Sequence, residues 1–166
     1  MEQESELQKR KEHRLKNFDY SSRGMYFITV CTMERQNYFW NNVGARIARP
    51  QDVELSLYGK IVDHAINNIP VIYPSVLVDR YVIMPDHIHL LFSICPEEDG
   101  RAMRAPTVSR VVNQLKGYVT KQIKSSIWQK LFFDHVIRDR EDYLKHVSYI
   151  RDNPLKWNDK QDGKNQ

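Results

Sequence analysis

A chain of 166 residues with 41% hydrophobic and 28% charged side chains suits one globular domain with a single core. No apolar run approaches a membrane span, the charged N-terminus lacks a signal-peptide core, and two cysteines are too few for a disulfide framework, so a reduced, cytoplasmic protein is expected. The net charge of +4 permits binding to a polyanion.

Residues 1–20 read as a basic polar arm. Its run of Lys9, Arg10, Lys11, Arg14 and Lys16 suits phosphate contacts as well as a solvated tail. Residues 26–32 are β-branched and aromatic and predict the first strand. Residues 41–55 read as a loop. Ser56 then caps a helix to about Asn68, with Val62, Ala65, Ile66 and Ile69 in its buried stripe. Residues 76–84 and 87–94 predict the second and third strands, joined by a tight turn at Met84, Pro85 and Asp86. Residues 96–106 form another polar loop. The Arg-bearing stretches near Arg46 and Arg101 resemble each other in composition. Thr107 caps a long helix to about Lys124, and a fourth strand lies within residues 128–138. Asp139, with Asp142 three residues on, starts a last helix to about Asn153, where Pro154 is expected to stop it; residues 159–166 read as a polar tail. The expected class is α+β. The first six elements match the ferredoxin-like βαββαβ pattern, in which both helices pack on one face of the sheet.

The third strand carries a chemical signal. Ile88, Leu90, Phe92 and Ile94 share one apolar face, and His87 and His89 share the other. Two neutral imidazoles side by side on a rigid strand suit a divalent metal and leave positions open for substrate and water. Two partly exposed strand histidines are the plainer alternative.

On the last helix each residue turns about 100°. Tyr143, Leu144, Val147 and Ile150 form the expected apolar stripe, whereas His146, Tyr149 and Asn153 cluster away from it. Tyr149 is therefore not needed for the core, and Asn153 lies one turn further along. A phenol is a weak nucleophile at neutral pH, but it attacks phosphorus when a metal polarises the phosphate and the approach is in line. An amphipathic surface tyrosine is the plainer alternative.

With these residues in place, the sequence resembles the single-tyrosine transposases of the His-hydrophobe-His (HUH) endonuclease superfamily. Within them it is most similar to the REP-associated tyrosine transposases. The resemblance spans about residues 26–157 and rests on three stretches: residues 84–92, with His87-Ile88-His89; residues 127–129 and 134–138; and residues 141–154, with Tyr149 and Asn153. It implies a transposase domain over residues 21–158 that acts on single-stranded DNA beside a hairpin, as monomer or homodimer. It also implies His87 and His89 as metal ligands, Tyr149 as nucleophile, Asn153 completing the metal site, and Mg²⁺ or Mn²⁺ as the ion. The tyrosine would join the new 5′ end and free a 3′ hydroxyl. Two other readings stand beside this one. A non-catalytic, domesticated binder of structured single-stranded DNA or RNA would need none of the four site residues. A metal-dependent hydrolase using water would not need Tyr149.

Overall fold

The computed structural model describes residues 24–42, 52–95 and 105–162, with side chains described as far as Trp157. The basic arm and the stretches around Arg46 and Arg101 lie outside the described residues.

Strands β1 (Gly24–Cys31), β2 (Val76–Met84), β3 (His87–Ile94) and β4 (Phe133–Val136) form one four-stranded sheet in the order β2-β3-β1-β4. Every neighbouring pair is antiparallel. This is the strand order of a ferredoxin-like fold, as the element order predicts. The apolar residues of β1 and β3 alternate as strands require. Tyr26, Ile28 and Val30 therefore share the core with Ile88, Leu90 and Phe92.

Helices α1 (Leu57–Asn67) and α3 (Val108–Ile123) cover that face. A short helical turn, α2 (Ile69–Ile72), follows α1. Ser56 and Thr107 cap the two long helices by accepting from the N–H of Gly59 and Arg110. Gly59 is required where α1 crosses the preceding segment, since a Cβ there would lie 2.2 Å from the Phe39 carbonyl oxygen.

The second face of the sheet is not open. Helix α4 (Arg140–Asp162) lies across it, packing Ile150 against Phe27 and Leu91, with Val82, Tyr143 and Val147 around them. The molecule thus has three layers: α1 with α3, the sheet, and α4. Asp139 Oδ1 accepts from the Asp142 N–H at 2.8 Å, and Asp142 Oδ2 accepts from the Arg138 N–H at 3.1 Å, so this end of the helix is capped as its sequence suggests. Burial acts to raise the Asp142 carboxyl, but hydrogen bonds from His135 and Arg138 outweigh it and hold the group below the usual carboxylate range.

Two expectations for this helix need correction. Pro154 does not stop it; the helix continues to Asp162, into the stretch read as a polar tail. Pro at an interior position forfeits one backbone hydrogen bond, and packing beyond it offsets that loss, because Trp157 lies against Trp40 at 6.2 Å between ring centroids. Leu144 is 49% exposed and not part of the buried stripe, whereas Asn153 is buried. The face turned to the sheet is rotated toward the polar residues.

Candidate active site

Strand alternation puts His87 and His89 together on the face beneath α4. Their rings meet edge to face, with centroids 4.6 Å apart. The two Nε2 atoms are 3.0 Å apart. Each ring is oriented through its other nitrogen. His87 Nδ1 is 2.5 Å from Asp86 Oδ1, and His89 Nδ1 is 2.8 Å from Thr29 Oγ1. With each Nδ1 proton given to one of these oxygens, both Nε2 lone pairs face one point. Two imidazole nitrogens on one divalent ion, each about 2.1 Å from it, stand about 3.0–3.4 Å apart, so the pair is spaced for a shared cation.

The turn that carries Asp86 is itself clamped. The Thr32 N–H and hydroxyl both donate to the Asp86 carbonyl at 2.9 Å. The N–H groups of Tyr38 and Phe39 donate to the Pro85 carbonyl at 2.8 and 3.1 Å. Arg35 Nε pairs with Asp86 Oδ2 at 2.8 Å. Glu34 and Arg35 occupy the left-handed region, with φ of 52° and 56°, which costs about 1–2 kcal/mol per L-residue. The Arg35–Asp86 pair and the bonds at Thr32 offset that cost.

Helix α4 brings Tyr149 over this pair. Its ring centroid is 5.0 Å from that of His89, edge to face at 71°. Phe27 stacks on His89 at 5.2 Å and meets Tyr149 at 5.9 Å, forming a wall that both rings share. Tyr149 is 43% exposed, while His87 and His89 are 6% and 4% exposed. The imidazoles are sheltered from water, and the phenol is open to a polymer too large to enter a cavity.

Asn153 is buried, and its Nδ2 has no hydrogen-bond partner among the described residues. An unpartnered buried amide N–H costs about 1–3 kcal/mol and marks an incomplete hydrogen-bond set. One turn before it is Tyr149, which meets His89. One turn after it is Trp157, whose ring lies 6.4 Å from that of His87. Helical geometry therefore carries Asn153 along the line of the two histidines.

No family model matches the chain. An uncharacterized protein of Haemophilus influenzae is 31% identical, over 89% of this chain and 89% of its own length. A second H. influenzae protein, provisionally named a REP-associated tyrosine transposase, is 28% identical over 83% of this chain and 74% of its length. The REP-associated tyrosine transposase of Escherichia coli K12 is 29% identical over 48% of this chain and 44% of its length. A solved REP-associated tyrosine transposase bound to a REP hairpin superposes with a TM-score of 0.56 at 26% identity, covering 86% of this chain and 74% of that one. The chain is similar in sequence and in fold to REP-associated tyrosine transposases.

Two of the three stretches that carry the resemblance, 84–92 and 141–154, face each other across the site. Of the residues singled out from the sequence, His87, His89 and Tyr149 meet there, and Asn153 is buried one turn after Tyr149 on α4. Several of their supports were not visible in the sequence. Thr29 pairs with His89 only through the register of β1 on β3. Trp157 lies past the proline at which the helix was expected to end. Asp86 precedes His87 directly, and a carboxylate next to a ligating histidine is a signal that was available but assigned to the turn. Cys31 lies opposite His87 on β1, where burial pushes its thiol up against the lowering effect of the Arg35 guanidinium; a thiol held protonated is a poor nucleophile.

Proposed function

We propose that this chain is a metal-dependent single-stranded DNA endonuclease and strand transferase, a transposase acting at hairpin-flanked sites through a 5′-phosphotyrosine intermediate. The observation that carries the reading is the exposed Tyr149 phenol lying against His89, whose Nε2 converges with that of His87. In this reading His87 and His89 hold the ion, and Asn153 turns its amide oxygen to the same point. The resemblance to REP-associated tyrosine transposases, rather than the donor set, points to Mg²⁺ or Mn²⁺ as that ion, with water filling the positions the two imidazoles and one amide oxygen leave open. A bound ion would polarise the scissile phosphate.

The residues of the chain then have separate tasks. Asp86 and Thr29 fix the imidazoles. Phe27 fixes the Tyr149 ring at its edge. The Tyr149 oxygen forms the new bond to phosphorus as the bond to the 3′ oxygen breaks. The phenol proton leaves and the departing 3′ oxygen gains one, so the proton count balances. The phosphotyrosine ester keeps the energy of the broken linkage, and a 3′ hydroxyl can reverse the step elsewhere without ATP. The hairpin bound by the similar solved transposase supports hairpin DNA as the substrate class.

The test uses labelled single strands carrying the hairpins that flank the gene, with Mn²⁺, on a denaturing protein gel. A labelled band at the mass of the protein is expected, absent from Tyr149→Phe while that variant still binds DNA. His87→Ala or His89→Ala should remove metal-dependent cleavage. Cleavage that persists in Tyr149→Phe without adduct would replace this reading with water attack. Binding with no cleavage by the unaltered protein would replace it with a binding module.

A further inference from the structure

A second group of ligating side chains lies apart from His87 and His89, where β4 meets the start of α4. His135, Asp142 and His146 each offer a ligand atom, and these atoms all lie within 4.8 Å of one another. We propose that these three residues form a second metal site, selective for a borderline first-row divalent ion such as Zn²⁺.

The residues converge from two elements. His135 comes from β4. Asp142 and His146 stand four apart on α4, the spacing that puts two ligands on one helix face. His135 Nε2 is 2.8 Å from Asp142 Oδ2, and His146 Nδ1 is 3.2 Å from Asp142 Oδ1. Adjacent ligands around one ion, with bonds of about 2.0–2.2 Å, stand about 2.9–3.5 Å apart. Asp142 is therefore at near ligand spacing from both histidines, and a small rotation of the His135 or His146 ring would close the third side of the triad. His146 Nδ1 also lies 2.8 Å from the Asp142 carbonyl oxygen and would leave that contact on binding. The two imidazole rings stack at 4.8 Å and 22°.

Chemistry and access set the class of ion. Two imidazoles and one carboxylate prefer Zn²⁺ and its neighbours over Mg²⁺, which takes oxygen ligands. The side chains of His135, Asp142 and His146 are 30%, 19% and 16% exposed, so an ion can enter and water can complete its shell. An ion here would tie α4 to the sheet three residues before Tyr149. His146 also touches Phe27 at 4.5 Å, and Phe27 stacks on His89 and meets Tyr149. The site would act on the phenol by fixing the helix that carries it.

The experiment is equilibrium dialysis of the metal-free full chain against low-micromolar Zn²⁺, with bound metal counted by mass spectrometry. The His87→Ala/His89→Ala protein is used, so that any ion found is not at the first pair. One Zn²⁺ per chain is expected, and none once His135→Gln and His146→Gln are added. No bound Zn²⁺ in the double-alanine protein, or Zn²⁺ retained after the added changes, overturns the proposal. Should the added changes unfold the chain, Co²⁺ in the double-alanine protein reads the site directly. Paramagnetic broadening of amide signals centred on residues 135–146 supports it, and broadening centred elsewhere overturns it. The readout is metal binding, so its failure leaves the Tyr149 reading untouched.

Discussion

Thr29 is where the orientation of His89 can be tested with one change. Its hydroxyl is 2.8 Å from His89 Nδ1, and as a β-branched strand residue it has an isosteric replacement in valine. Thr29→Val keeps the packing of β1 and removes the polar partner. The imidazole then loses what selects its tautomer and ring angle. Loss of such a partner typically costs about 10–100-fold in metal affinity or activity. The expected outcome is Mn²⁺ affinity reduced within that range by titration calorimetry, with the thermal midpoint little changed. Unaltered affinity would mean that the ring is set by Phe27 and the strand alone. Asp86 is less suited to the same test, because it also pairs with Arg35 and its substitution would disturb a strained turn.

At the scale of the element, α4 is the part of the fold that local sequence signals describe least well. A proline inside a helix costs about 3 kcal/mol, and on that ground the helix that starts at Asp139 reads as ending at about Asn153. The aromatic contacts of Trp157 with Trp40 and His87 lie beyond the proline and draw the helix onward. Trp157→Ala is therefore expected to fray α4 after Pro154, so that amide exchange of residues 155–162 speeds up while residues 143–150 keep their protection. If exchange beyond Pro154 stays slow, Trp157 is not what holds that segment. The contrast with β2 and β3 is instructive. Their ends, Val76–Met84 and His87–Ile94, were readable because alternation and the Pro85-Asp86 turn are local signals. The position of Thr29 opposite His89 and the closure of α4 over the sheet are long-range facts, set by register and by packing, which no window of sequence contains. Leu144 illustrates the same limit: its periodicity suited the stripe, but docking on Phe27 and Leu91 turned the helix so that it faces outward.

For the whole molecule, the proposed function asks how a polyanion would be held so that one phosphate reaches Tyr149. Among the described residues, Arg35 beside the histidines is paired with Asp86, and Arg151 on α4 with Asp152. The surplus of +4 is spread along the chain, and its densest run lies in Lys9, Arg10, Lys11, Arg14 and Lys16. Deleting residues 1–20 is a poor test, because Glu2, Glu4, Glu6, Glu12 and Asp19 balance those five cations. Replacing the five by Gln isolates the charge. Each cation that meets a phosphate of a single strand adds about 0.7 to the steepness with which binding weakens as log salt rises. If the run tracks the strand, the substituted protein should show a slope shallower by up to about 3.5, with the cleavage chemistry intact at low salt. An unchanged slope would assign the run to a solvated tail and move the phosphate contacts onto the folded domain. The measurement separates these two cases because the salt slope counts neutralised phosphates, whereas affinity at a single salt concentration also reflects stacking and hairpin shape.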